Sequence, residues 1–228
     1  MTFPRPLVWI NCAASVDGRL AFDQGARARL SDPEDLARVQ RLRAKSDGIV
    51  IGIGTALADD PSLRVHWELL DGAPGSPPAR IVLDSAGRLP AASRLLDGSL
   101  PTIIATSERC ARHYPAHVTT IVAGAERVDL ERLYTELHAR GHRRLLIEGG
   151  ARVLASALKP GLFDRFTIYV APLIIGEHEA PPVVSGPAAH RMEDVLPLDL
   201  LAVDRLGPGY VASYGPPGPP RAAPPLPP

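Results

Sequence analysis

Gly48-Ile49-Val50-Ile51-Gly52-Ile53-Gly54-Thr55-Ala56-Leu57-Ala58-Asp59-Asp60-Pro61 is the stretch whose reading decides the fold. Its first half is apolar without alternation, the pattern of a parallel strand covered on both faces. It then breaks at glycine and continues as a short, oxygen-rich helix. Gly52 and Gly54 strip side chains from the strand end, where a ligand can approach the backbone. Thr55 adds a hydroxyl beside free N–H groups and the positive end of a helix, a setting that suits an anion such as a pyrophosphate. The motif is incomplete as a nucleotide loop. Leu57 stands where a dinucleotide fingerprint has its third glycine, and the lysine of a P-loop is missing. Read alone, the stretch is equally a tight strand-to-helix turn with no ligand.

Arg143-Arg144-Leu145-Leu146-Ile147-Glu148-Gly149-Gly150 repeats the device. An apolar strand again ends in glycine, and residues 151–158 after it favour helix. Two glycine-ended strands, each leading into a helix, fit one ligand lying across the carboxyl edge of a single sheet. Glu148 sits at the second strand tip, where its side chain faces that ligand. Capping of the following helix is the plainer role for the same carboxylate.

The remaining segments supply the sheet. Residues 7–14 form a near-continuous apolar strand that stops at the turn signal Ser15-Val16-Asp17-Gly18. Ser31 and Glu34 have capping-box spacing, with Pro33 just inside the helix. Leu36, Val39, Leu42 and Ala44 then recur at helical spacing to about Lys45. Residues 79–84, 102–106 and 118–122 read as strands. Asp129 caps a helix that carries Leu130, Leu133, Tyr134 and Leu137 on one face and closes at Gly141. From about Asp164 the pattern changes. Phe166, Ile168 and Val170 alternate with polar residues, and strands at 198–206 and 210–214 follow without helices between them. This predicts an α/β fold that begins as βα units and ends in antiparallel edge strands, one domain over residues 1–214. Residues 215–228 are dominated by proline and are expected to be a disordered or polyproline-like tail.

Composition narrows the function. The formal net charge is +0, from 25 basic and 25 acidic residues, which argues against a general nucleic-acid or membrane-surface binder. Cys12 and Cys110 have no metal or redox spacing, and Cys12 reads as a small buried hydrophobe in a strand. There is no N-terminal signal pattern and no apolar run long enough to span a bilayer, so a reducing cytoplasm is expected. The 7 histidines form no His-Glu-x-x-His or comparable ligand pair, and no metal is expected.

The motifs Ser15-Val16-Asp17-Gly18, Arg29-Leu30-Ser31, Leu42-Arg43-Ala44, Gly52-Ile53-Gly54-Thr55 with Asp59-Asp60-Pro61, Val82-Leu83-Asp84-Ser85, Glu148-Gly149-Gly150 and Ala171-Pro172-Leu173-Ile174-Ile175-Gly176 follow one another in a known order. Over about residues 7–214 the chain resembles the stand-alone, archaeal and fungal type of 2,5-diamino-6-ribosylamino-4(3H)-pyrimidinone 5′-phosphate reductase of riboflavin biosynthesis. That enzyme is similar to the C-terminal domain of the bacterial bifunctional deaminase–reductase. No Pro-Cys-x-x-Cys is present, so the resemblance does not extend to a zinc deaminase half. It implies a dihydrofolate-reductase-like three-layer fold, with a mostly parallel central sheet and antiparallel C-terminal strands. It also implies a homodimer that uses NADPH to reduce ribosyl C1′ of a phosphorylated ribosylaminopyrimidinone to a ribityl chain.

Carried over residue by residue, the resemblance places Ala13, Thr55, Asp59, Ser85, Gly149, Gly150, Ala151 and Arg152 at the cofactor. It places Arg43, Leu63, His66 and Glu148 at the substrate, with Glu148 the essential acidic residue. The chain departs from the archaeal pattern at Ala151-Arg152, where glycine and threonine are frequent. His66 fits the archaeal type; the bifunctional enzymes have arginine there.

Chemistry leaves two roles open for Glu148: donating or relaying a proton, or accepting the N–H edge of the pyrimidinone through both oxygens. Thr55 and Asp59 share a helical face and reach one ligand. Of the nearby cations Arg27, Arg29, Arg43, Lys45 and Arg64, Arg43 is expected to bind the 5′-phosphate. Ser85, with Arg88 just after it, suits a 2′-phosphate, provided Asp84 points away. Asp17 is expected to serve its turn more than a ligand. A reductase of a folate or pterin, and a nucleotide-binding module without turnover, are the alternative readings. Turnover on the pyrimidine, on dihydrofolate, or on neither separates the three.

Overall fold

Apolar runs become strands and periodic segments become helices, in the order β1 (Leu7–Ser15), α1 (Pro33–Ala44), β2 (Gly48–Gly52), α2 (Ile53–Asp59), β3 (Ala79–Leu83), β4 (Thr102–Thr106), β5 (Val118–Val122), α3 (Leu130–Ala139), β6 (Arg144–Gly149), α4 (Ala151–Ala157), β7 (Arg165–Ala171), β8 (Asp199–Leu206) and β9 (Gly209–Gly215). These elements come from a computed structural model that describes residues 3–22, 28–159, 161–187 and 189–218. The strands form one nine-stranded sheet in the spatial order β5-β4-β3-β2-β6-β1-β7-β9-β8. All pairings from β5 across to β7 are parallel, and β9 then pairs antiparallel with β7 and with β8.

Helices cover both faces. On one side α3 and α4 bury Leu133, Leu137, Leu154 and Ala157 against Val8, Ile10, Val50, Ile81, Leu145 and Ile147. On the other, α2 and the segment after β3 pack Ala56, Leu89 and Leu95 on Ile49, Ile51, Val82 and Ile104. There α1 also places Leu42 against Trp9 and Leu146. Burying these branched side chains out of water supplies the main driving force for the layers.

The topology positions a site. From β1 the chain forms β2 two places away, then walks outward through β3, β4 and β5. It returns with β6 to fill the gap between β2 and β1. The strand order reverses at that gap, and open α/β sheets bind ligands at such a switch point, beyond the carboxyl ends of the strands.

Three sequence expectations change. Asp32, not Ser31, caps α1: its Oδ1 accepts the Asp35 N–H at 2.8 Å. With Pro33 at the first helical position, Asp32 is the residue placed to cap. The inward face of α1 is polar: Asp35, Arg38, Gln40 and Leu42 are buried, while Leu36 is 49% exposed. Burial of these groups is tolerable because they are bonded. Arg38 donates to Asp35 Oδ1 at 2.9 Å and to Asn11 Oδ1 at 2.8 Å, and Asn11 also accepts from Thr167. In β7 the residues between the apolar positions are buried too, Thr167 in the Asn11 network and Tyr169 in a cluster with Leu30 and Val211.

The proline-rich stretch begins inside the sheet. Gly215 pairs with Asp199 of β8, and Gly218 N–H reaches the Asp199 carboxylate at 3.2 Å. Residues 219–228 lie outside the described residues.

Candidate active site

The two glycine-ended strands are neighbours. β2 and β6 pair in parallel, so both glycine turns open on the same edge of the sheet. A β-carbon on Gly150 would lie 3.3 Å from the Thr55 hydroxyl oxygen, and one on Gly149 would lie 3.7 Å from it. Gly150 has φ +89, a conformation that L side chains rarely adopt. The first turn has two glycines for two reasons. Gly54 faces open space: a β-carbon there would have nothing within 4 Å, as close ligand approach requires. Gly52 is demanded by packing, because a β-carbon there would meet Val153 of α4 at 2.6 Å.

Ordered by strand, the expected cofactor positions form a line. Ala13 lies in β1, beyond Ile10, the last residue paired with β6. Gly149, Gly150, half-buried Ala151 and exposed Arg152 follow at the end of β6 and the start of α4. Thr55 and Asp59 sit on α2 after β2. Ser85 comes after β3, its carbonyl held by Ser107 and its Oγ accepting the Val128 N–H at 3.0 Å. The spatial order β1-β6-β2-β3 makes this a continuous path of four adjacent strand ends. Asp84 points away, as Ser85 requires: it is buried and accepts from Arg88 N, Leu89 N and the Tyr114 hydroxyl.

Glu148 is an extra residue in the ladder. Val50 of β2 faces Ile147 and Ile51 faces Gly149, so Glu148 is bulged out of register. A bulge re-aims a side chain, and such features gather beside active sites. Its carboxylate meets Arg43 side on: Nε to Oε1 and Nη2 to Oε2, both 2.6 Å. The side chains are only 17% and 11% exposed. Burial pulls the Arg43 guanidinium down, and the charge and hydrogen bonds of Glu148 outweigh it, leaving the group above its ordinary value. Arg43 therefore spends its donors differently from the sequence expectation. Two bind Glu148 and a third reaches the Arg64 carbonyl at 3.0 Å, so a phosphate does not have the whole guanidinium.

Residues 60–66 run as a strap past the end of α1. Asp60 accepts from Ser93 Oγ and Arg94 N, fixing the strap to the segment after β3. Leu63 is 3% exposed in the core, so a ligand there meets its backbone. Gln40 Oε1 accepts the His66 N–H at 2.9 Å, and the exposed His66 ring pairs with Glu68. Arg43, Leu63, His66 and Glu148 thus converge where α1, the strap and β6 meet. Arg29, Lys45 and Arg64 are exposed, and Arg27 lies outside the described residues. Asp17 serves the fold: its carboxylate accepts from Ile175 N and Gly176 N, joining two motifs, and the bond with Ser15 together with these two holds it well below the usual carboxylate range.

Gln40 and the bulge carry no sequence signal that finds them. Gln40 is one more polar residue on a polar helix, and a bulge shows only in the register of a partner strand.

Comparisons with known proteins identify the family and the fold. The family model described as RibD C-terminal domain matches residues 6–212. The chain is 39% identical to the 2,5-diamino-6-ribosylamino-4(3H)-pyrimidinone 5′-phosphate reductase of Methanothermobacter thermautotrophicus, over 92% of this chain and 98% of that protein. It is 36% identical to the protein of the same name from Archaeoglobus fulgidus, over 92% and 97%. Among solved structures it is similar to the diaminohydroxyphosphoribosylaminopyrimidine deaminase/5-amino-6-(5-phosphoribosylamino)uracil reductase of Thermotoga maritima, with TM-score 0.78 and 25% identity. That match covers 93% of this chain but 57% of the Thermotoga chain, so this chain spans a little over half of it.

Proposed function

This chain belongs to the RibD C-terminal domain family, and from that membership we propose that it is an NADPH-dependent reductase of a ribosylaminopyrimidinone 5′-phosphate in riboflavin biosynthesis. The observation that carries the proposal is the row of four adjacent strand ends, with the Glu148–Arg43 pair beside its centre. Such a row suits an extended dinucleotide, and the ion pair suits a polar ring laid against it.

The residues present fit a nicotinamide dinucleotide. The space over Gly54, the left-handed turn at Gly150 and the Thr55 hydroxyl between them form a cradle that larger side chains would fill. Thr55, Gly149, Gly150 and Ala151 would hold phosphates, with Arg152 exposed next to them, and Asp59, Ala13 and Ser85 would make the flanking contacts. When bound, the cofactor supplies the hydride. The chain supplies placement, which accounts for much of the rate in such reactions. Arg88, exposed after Ser85, favours a 2′-phosphate and hence NADPH over NADH.

Glu148 acts as an acceptor. Both its oxygens already take charge-assisted hydrogen bonds from Arg43, the arrangement of a carboxylate and not of a carboxylic acid. Its remaining lone pairs are free to receive the amino and ring N–H groups of the pyrimidinone, with Arg43 holding the carboxylate at a fixed angle. The proton that completes reduction then comes from elsewhere, water included.

A second copy of the chain is the fitting protein partner. β8 closes the sheet as an edge strand with Leu200 60%, Leu201 45% and Val203 57% exposed, an edge that proteins ordinarily cover. No helix among the described residues is long and apolar enough to cross a membrane. Its cysteines are free, which suits a reducing cytoplasm. The function is tested by NADPH oxidation with the diaminopyrimidinone ribosyl phosphate, in parallel with NADH and with dihydrofolate. Oxidation with dihydrofolate alone, or with neither substrate, refutes it, and equal kcat/KM for both cofactors refutes the 2′-phosphate assignment.

A further inference from the structure

We infer that Gln40 is a positioning residue that sets the substrate side of this site through the backbone of the 60–66 strap. The inference rests on the reading that Arg43, Leu63 and His66 face the pyrimidine substrate. The strap is the strained part of the chain. Among the described residues, Asp60 at φ 38 and Leu63 at φ 51 are the non-glycine residues with positive φ, and both lie here. Aspartate tolerates that region, but leucine does so only where its surroundings over-determine it, and such residues gather at ligand clamps.

The surroundings do over-determine it. The Asp60 end is tied to Ser93 and Arg94, and the Leu63 side chain is sunk in the core. The His66 end is tied to α1 at two points: Arg43 donates to the Arg64 carbonyl at 3.0 Å, and Gln40 accepts from His66 N–H at 2.9 Å. Arg43 is also committed to Glu148, so the arm that holds the carboxylate holds the strap as well. Gln40 makes no claim on Glu148. It is 6% exposed, it lies three residues before Arg43 on the same helix, and its carbonyl oxygen is the acceptor that fixes His66. Removing that acceptor frees the His66 end of the strap and leaves the Arg43 bond to the Arg64 carbonyl to tie it to α1. The hydrogen bonds that tie the strap run to Gln40, Arg43, Ser93 and Arg94, not to the Gly54 and Gly150 turns proposed for the cofactor. The loss should fall on substrate affinity.

The test compares Gln40→Met, Gln40→Asn and Gln40→Glu with the parent. Met fills the volume without an accepting oxygen, Asn retracts the oxygen, and Glu keeps it in place. Met and Asn are expected to raise KM for the pyrimidinone ribosyl phosphate roughly five- to thirtyfold, the range for one hydrogen bond left unmade. NADPH affinity, read by fluorescence quenching, should stay at the parental value, and His66 amide exchange should quicken. Glu should bring KM back toward the parent. If Met does not fold, Asn decides. The inference is overturned by an unchanged KM in Met and Asn, by equal losses of substrate and NADPH affinity, or by a Glu variant no better than Met. If the parent itself oxidises no NADPH with this substrate, the functional reading falls and this inference with it.

Discussion

Glu148→Gln tests the site at its centre. The amide keeps the shape of the carboxylate and one accepting oxygen, but presents an NH2 group where the second oxygen was. At the native spacing of 2.6 Å that NH2 faces an Arg43 N–H, donor against donor, so the two-point pair must open. One charge-assisted bond is lost in a site whose partners are 17% and 11% exposed, too buried for water to replace it fully. The loss costs about 1.5–3 kcal/mol, equivalent to a Tm roughly 3–12 °C lower in a domain of this size. Activity should fall further than stability explains. An acceptor for the substrate becomes partly a donor, and kcat/KM is expected to drop roughly ten- to a hundredfold with NADPH affinity intact. Proton transfer by Glu148 would add ~10²–10⁴ to that drop. The assay is NADPH oxidation at saturating cofactor, with cofactor affinity measured separately. A fall above about a thousandfold refutes the acceptor role in favour of proton transfer. A variant within a fewfold of the parent refutes both roles and leaves a carboxylate that only anchors Arg43. If Arg43 serves mainly to hold Glu148, Arg43→Met with Glu148→Gln should lose no more activity than the worse single variant, and additive losses would show an independent role.

Burial pushes the Cys12 thiol up to about 12, so the folded state favours its protonated form. Stability from this group is full below the ordinary thiol value of 9.0 and declines as pH rises toward about 12, and Cys12→Ala should flatten that alkaline limb in urea titrations. At neutral pH a thiol reagent should label half-buried Cys110 and spare Cys12 in the native protein; equal labelling would show that the core opens. Lysines at Leu200 and Val203 on the exposed edge should leave the fold intact and yield monomers by sedimentation, whereas an unchanged mass would mean that copies meet elsewhere or not at all. Truncation after Gly218, which spares the last bond to Asp199, should leave Tm and activity at parental values, and a clear loss of either would show that residues 219–228 dock.

Much of the fold is legible in the sequence because the dominant signals are local. Residues 102–106 and 118–122 are bounded by turn residues and become β4 and β5. The α3 stripe of Leu130, Leu133, Tyr134 and Leu137 is fully buried behind its Asp129 cap. The α1 face misleads because periodicity counts apolar residues. It cannot register that Arg38 bridges Asp35 and Asn11 beneath the helix. In the candidate site, glycine and strand-end signals single out Thr55, Glu148, Gly149 and Gly150, and the pairing of β2 with β6 brings these to one edge of the sheet. The pairing of Arg43 with Glu148 is not legible: those residues are 105 apart in the chain, and only the insertion of β6 beside α1 brings them together. The Gln40–His66 bond is not legible either, because it depends on how the strap folds back against α1.

That insertion has a consequence for how the protein comes into being. During synthesis β1 to β5 emerge first, and none of β2 to β5 hydrogen-bonds to β1. Until residues 144–149 arrive, β1 has no partner strand and the β2–β5 segment has an unpaired inner edge, each a surface for misassociation. Closing the gap joins segments more than 90 residues apart, with Asp47 gripping Arg144 N–H at the first step of the strand. Long-range pairing of this kind is slow. The same event aligns the two glycine turns, buries Trp9 against Leu146 and delivers Glu148 to Arg43. The core and the candidate site thus depend on one strand insertion. On refolding of a Trp67→Phe variant, whose tryptophan fluorescence reports Trp9 alone, fluorescence and recovered turnover should therefore rise with a single time constant, and a lag of activity behind fluorescence would separate them.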